Sequence, residues 1–214
     1  MKLFDTSLYF ITDSTGFAEE EFLLRTEAAL QGGVTLLQLR EKDKTTREYL
    51  SLAEKVHALT QRYHIPLIID DRLDIAMAID AEGVHLGQSD MPIHMARKLF
   101  GPDKLIGATA KTVPQALEAW HQGADNLGVG AIYPTTTKVK TVLTSTDTLK
   151  EICKAVPIPV NAIGGLNKEN IHVLAGIPIS GICVVSAIMK AEDPRQAAID
   201  LRNRAAALGL GCIK

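Results

Sequence analysis

Short apolar runs and amphipathic stretches alternate from one end of this chain to the other. The apolar, β-rich runs fall at residues 8–12, 34–39, 66–69, 83–86, 104–108, 126–130, 158–162 and 181–185. Between them, stretches at 19–31, 46–63, 71–80, 92–100, 113–122, 146–155, 168–175 and 194–208 predict helices. In the second of these, Leu50, Ala53, Val56, His57 and Leu59 share one helical face. Ser89 and Asp90 ahead of Pro92, Thr112 ahead of Pro114, and Asp193 ahead of Pro194 read as helix starts. Gly32, Gly33, Gly123 and Gly176 read as stops.

The strand runs are continuously apolar, the pattern of a sheet covered on both faces. Eight strand–helix units predict a parallel α/β fold, and eight is the count that closes a single-domain (β/α)8 TIM barrel over residues 1–214. About 27 residues per unit sits at the compact end of that fold's range. The competitor is an open doubly wound sheet, which calls for Gly-x-Gly-x-x-Gly after the first strand. This chain has Ile11, Thr12, Asp13, Ser14, Thr15 and Gly16 there, so the barrel is preferred.

Composition narrows the function classes. A chain of 214 residues that is 46% hydrophobic can bury one sizeable core. Lys and Arg number 23 against 25 Asp and Glu, with no block of like charge, so nothing pushes it toward nucleic acid or a membrane surface. The first apolar run is too short for a signal-peptide core or a transmembrane helix. Cys153, Cys183 and Cys212 are odd in number and far apart, which disfavours disulfides and structural zinc and suits a reducing cytoplasm. A homo-oligomer is left open.

In a barrel of this kind the active site sits at the C-terminal ends of the strands. The sixth run ends in Pro134, Thr135, Thr136, Thr137 and Lys138, three hydroxyls and an ammonium suited to phosphate oxygens. The second runs into Gln38, Arg40 and Lys42, which period two sets on one side; Glu41 and Asp43 are the partners for a simple salt-bridged end. Asp71 and Asp90 follow the third and fourth runs. Two such carboxylates suit magnesium shared with substrate phosphates, or they are helix N-cap and first-turn residues. His85 reads by itself as a core histidine. Thr109 puts a hydroxyl at the end of the fifth run. Gly164 and Gly165 after the seventh run, with Ser186 after the eighth, match the recurrent phosphate site of these barrels, and 187–190 suits its short extra helix. No nucleophile–His–Asp relay is in view.

Gln38, Leu39, Arg40, Glu41 and Lys42; Gly83 through Asp90 with His85 and Gln88; Gly130 through Lys138; and Ala162, Ile163, Gly164 and Gly165 occur in this order at successive strand ends. With them the chain resembles the thiamine-phosphate synthase family over nearly its whole length. The resemblance implies a (β/α)8 transferase that joins hydroxymethylpyrimidine diphosphate to thiazole phosphate, giving thiamine phosphate and diphosphate. It implies that the pyrimidine C–O bond breaks first, leaving a cation that the thiazole nitrogen attacks. Carried across, it has Gln38, Arg40 and Lys42 grip the pyrimidine diphosphate with Thr109 and Lys138, Leu39 and Glu41 completing that segment. Arg40, Lys42, Thr109 and Lys138 are the implied catalytic set, and Asp71 and Asp90 the implied Mg2+ ligands. Thr135, Thr136 and Thr137 would line the thiazole side, and Gly165, Val185 and Ser186 would take its phosphate. Asp70 stands where the family commonly has an asparagine on the pyrimidine, and Thr109 where serine is more usual. A thiazole tautomerase paralogue would not be expected to keep residues 134–138 together with Arg40, Asp71 and Asp90. A non-catalytic sensor of phosphorylated thiamine precursors would have no need of the metal carboxylates.

Overall fold

The structure, a computed structural model, describes residues 4–135 and 142–210. Its eight strands are β1 (Leu8–Ile11), β2 (Leu36–Leu39), β3 (Leu67–Asp70), β4 (Gly83–Leu86), β5 (Leu105–Ala110), β6 (Asn126–Gly130), β7 (Val160–Ile163) and β8 (Gly181–Val184). All pair in parallel with their sequence neighbours, and β1 pairs with β8 through Leu8 and Ile182, closing the barrel. The helices are α1 (Glu19–Gln31), α2 (Thr46–Arg62), α3 (Leu73–Ala78), α4 (Ile93–Phe100), α5 (Val113–His121), α6 (Thr146–Ala155), α7 (Ser186–Met189) and α8 (Pro194–Ala207), with a 3-10 helix at Ile171–Leu174.

Both faces of the strands are buried except at His85, Thr109 and Ile163, which are only partly so, and this is why the runs read as largely apolar. Leu8 and Phe10 point outward into the layer shared with the helices, where Phe22, Leu52 and Val56 meet them in one cluster. Tyr9 and Ile11 point inward and join Leu36, Ile68, Leu105 and Cys183 in the barrel interior. A fully buried side chain such as Phe22 contributes on the order of 2 kcal/mol of transfer free energy to this outer layer.

Local signals set the helix ends. Thr45 and Glu48 form a reciprocal capping box on α2. Thr112 and Asp193 cap α5 and α8 by accepting from Gln115 and Gln196 N–H groups, as their positions ahead of proline predict. The buried face of α2 keeps Ala53, Val56, His57 and Leu59 and adds Tyr49 and Leu52, while Leu50 is only partly buried.

Three expectations change. Ser89 and Asp90 do not cap α4, which starts at Ile93 after Pro92 without a side-chain cap. Asp71 is not in α3, because its φ of +60° lies in the left-handed region and holds the backbone out of the helix. The stretch at 168–175 makes only the 3-10 turn. There the Asn167 side chain accepts from the Glu169 and Asn170 N–H groups, a local bonding pattern that competes with an α-helix. Among the described residues no helix is long and apolar enough to cross a membrane.

Candidate active site

The strand C-termini surround an open cavity of about 700 Å³, within the size range of small-molecule sites. Gln38 on β2 and, just past its end, Arg40 and Lys42 all line it, continuing the strand's period of two. The intervening residues turn away. Leu39 is fully buried in the outer layer, and its carbonyl accepts from the Tyr49 hydroxyl at 2.8 Å. Glu41 accepts from Ser14 Oγ at 2.7 Å, and burial pushes its carboxyl above the ordinary value against that hydrogen bond. Neither side chain lines the cavity.

Charges concentrate where β2, β3 and β4 end. Lys42 Nζ lies 2.8 Å from Asp70 Oδ2 and also bonds the Asp71 carboxylate, while Arg40 Nε is 3.6 Å from Asp70. Burial alone would pull the Lys42 ammonium down, but Asp70 and Asp71 together hold its pKa above the ordinary value. Asp70 is thus neutralised by its neighbours rather than left as a bare charge in the cavity.

Asp90 is anchored by the Gly87 N–H, which donates to its Oδ2 at 2.6 Å. Burial raises its pKa; the Gly87 bond opposes this, and the adjacent Asp71 carboxylate adds to it. Neither carboxylate caps a helix, so the N-cap reading of Asp71 and Asp90 falls. The Asp71 carboxylate thus repels that of Asp90, and a divalent cation between them would relieve the repulsion. Among the described residues no group of three or more His, Cys, Asp and Glu gathers as a metal site. An ion held by this pair alone would take its remaining ligands from water and substrate oxygens.

Further round, His85 Nε2 sits 2.9 Å from Thr109 Oγ1, and Gln88 donates to the Thr109 carbonyl at 2.7 Å. The imidazole occupies space that a side chain on β5 would fill: a Cβ on Gly107 would lie 2.6 Å from Nδ1. His85 lines the cavity, so it is more than a core residue.

The opposite side is built from backbone. Gly164 and Gly165 have φ values of +101° and +64°, conformations that favour glycine. They also lie against the segment that follows β6. The Tyr133 N–H donates to the Gly164 carbonyl at 3.0 Å, and a Cβ on Gly165 would come within 2.7 Å of Tyr133 Cβ. Thr135, Gly165, Val185 and Ser186 all line the cavity here, and α7 opens at Ser186 as the stretch at 187–190 leads one to expect. Thr136, Thr137 and Lys138 lie outside the described residues.

The structure also brings in residues that the sequence reading did not select. Tyr9 lines the floor, and its hydroxyl accepts from Gln38 Nε2 at 2.7 Å; burial keeps the phenol well above its ordinary pKa and hence neutral. Lys111 lines the rim two residues beyond Thr109. The period-two rule that selects Lys42 past the end of β2 would have found Lys111 past the end of β5, and Tyr9 beside Ile11 on β1.

A closed (β/α)8 barrel with a charged cleft of this size at its strand C-termini has the architecture of the barrel enzymes, whose active sites lie at that end. Comparison with known proteins sharpens that class. The family model for thiamine monophosphate synthase matches residues 8–188. The chain is 52% identical over 186 residues to thiamine-phosphate synthase 2 of Streptococcus pneumoniae, a match covering 87% of this chain and 89% of the relative. It is 49% identical to the thiamine-phosphate synthase of Methanobrevibacter smithii, covering 94% of this chain and 96% of that one. The solved thiamine phosphate pyrophosphorylase from Pyrococcus furiosus superposes with a TM-score of 0.86 at 39% identity, covering 94% and 96% of the two chains. The chain belongs to the thiamine-phosphate synthase family, and it is a transferase of thiamine biosynthesis.

Proposed function

We propose that this cleft joins hydroxymethylpyrimidine diphosphate to thiazole phosphate by a dissociative route. The bond from the pyrimidine methylene to the diphosphate oxygen breaks, and its electron pair leaves with diphosphate. The thiazole nitrogen lone pair then forms the new C–N bond, giving thiamine phosphate with no proton to move. Such chemistry asks for stabilisation of a departing anion rather than for a strong base. One observation carries the reading: Asp71, Asp90, Arg40 and Lys42 face Gly164, Gly165 and Ser186 across a single cavity.

In this reading Arg40, Lys42, Thr109 and Lys138 take the departing diphosphate. Gln38, fixed by Tyr9, and Asp70 meet the pyrimidine. Thr135, Thr136 and Thr137 flank the thiazole, whose phosphate sits on Gly165, Val185 and Ser186. Leu39 and Glu41 serve as scaffold, since their side chains point away from the cavity. Asp71 and Asp90 would hold Mg2+. Bound there, the ion would supply positive charge to the diphosphate oxygens as their negative charge grows. The free thiols of Cys153 and Cys183 support a reducing cytoplasm as its setting.

The test is a coupling assay with both substrates, following thiamine phosphate and released diphosphate. Product should vanish with EDTA and return with magnesium. Product formation indifferent to EDTA would remove Asp71 and Asp90 as metal ligands; thiazole phosphate binding without product would defeat the synthase reading.

A further inference from the structure

We propose that Lys111 is a further substrate-binding residue, a cation held for the pyrimidine diphosphate; this rests on the reaction proposed above. The charged residues lining the cavity among those described are Arg40, Lys42 and Lys111 against Asp70, Asp71 and Asp90. That set has no net charge, yet both substrates are polyanions. Arg40 and Lys42 are, moreover, already engaged: both meet Asp70, and Lys42 also bonds Asp71. Only Lys111 among these three cations lies within ion-pair distance of no carboxylate among the described residues.

Its position selects the substrate. Lys111 follows β5 two residues after Thr109, so the two share the inward side of the strand end. Thr109 is tied to His85 on β4 and to Gln88 in the loop that carries Asp90. An ammonium beside Thr109 therefore borders the carboxylate side of the cleft, where the diphosphate would lie with its metal. Its backbone N–H donates to Gln115 Oε1 at 2.8 Å, which ties the end of the strand to α5 and fixes where the side chain begins. A partly buried cation without a local counter-ion is stabilised when an anion arrives, so its charge acts on the ligand undiminished by an internal partner.

The experiment compares wild type with Lys111→Ala and Lys111→Arg, measuring kcat, KM for each substrate, and calorimetric binding of inorganic diphosphate with magnesium. Loss of a charge-assisted hydrogen bond predicts that Lys111→Ala raises KM for the pyrimidine diphosphate about tenfold and weakens diphosphate binding similarly. KM for thiazole phosphate should stay within about twofold, and Lys111→Arg should restore most of the loss because the charge returns. A defect of folding alone would lower apparent kcat through the smaller folded fraction, would leave both KM values unchanged, and would not follow charge. Unchanged diphosphate binding in Lys111→Ala, or a rise confined to thiazole phosphate, overturns the proposal. If wild type forms no thiamine phosphate, the reaction is wrong, and the diphosphate titration still decides the role of Lys111.

Discussion

The cavity wall at the ends of β2–β4 is crowded with formal charge, whereas the wall at β7 and β8 has none among its described lining residues. On the first side, Arg40, Lys42, Asp70, Asp71 and Asp90 act through side chains that bond one another. On the second, Gly164, Gly165 and Ser186 offer backbone, small side chains and the first turn of a short helix. In the reaction proposed above, the difference follows what each anion would do. A departing diphosphate gains charge along the reaction, so countercharge there lowers the barrier. A phosphate that only anchors the thiazole is bound equally well before and during the step, which affects KM and leaves kcat alone.

That contrast can be broken by substitution. The largest effect should come from Asp90→Ala, which removes a carboxylate from the proposed metal pair. Turnover should fall by about 10²–10³-fold, with a higher magnesium concentration needed for half-maximal rate. Normal metal dependence would take Asp90 out of the site. Gly165→Ala should come next, because the new Cβ would lie 2.7 Å from Tyr133 Cβ and 2.8 Å from the Pro134 carbonyl at a φ of +64°. We expect a loss of about 1–3 kcal/mol in stability by chemical denaturation and KM for thiazole phosphate raised about tenfold, with magnesium dependence unchanged. Ser186→Ala should do least, raising the same KM by about two- to tenfold with kcat preserved, since one hydroxyl contributes little to a largely main-chain cradle. A drop in kcat for Ser186→Ala would erase the division between the two walls.

Much of this was legible in the chain. A closed parallel sheet buries both strand faces, so its strands stand out as apolar runs, and β4 and β6 fall at the residues expected. Period two told Gln38, Arg40 and Lys42 apart from Leu39 and Glu41 on geometry alone, although the family resemblance groups all of them as one segment. What escaped depended on contacts between distant segments. Asp70 looks like a charge facing the ligand until Lys42 and Arg40 are seen beside it. Asp90 passes for a helix cap until the Gly87 N–H is found holding it. The helix expected over 168–175 gives way to bonds among Asn167, Glu169 and Asn170, which sequence periodicity does not register.

Closure of the barrel also sets an order in time. β1 gains its second neighbour only when β8 arrives, nearly a full chain length later, so β1 stays open on one side while the chain is being made. Ser186 follows that last strand by two residues. The strand that finishes the fold therefore also finishes the proposed phosphate cradle, and a chain still short of ring closure would lack that site for its second substrate.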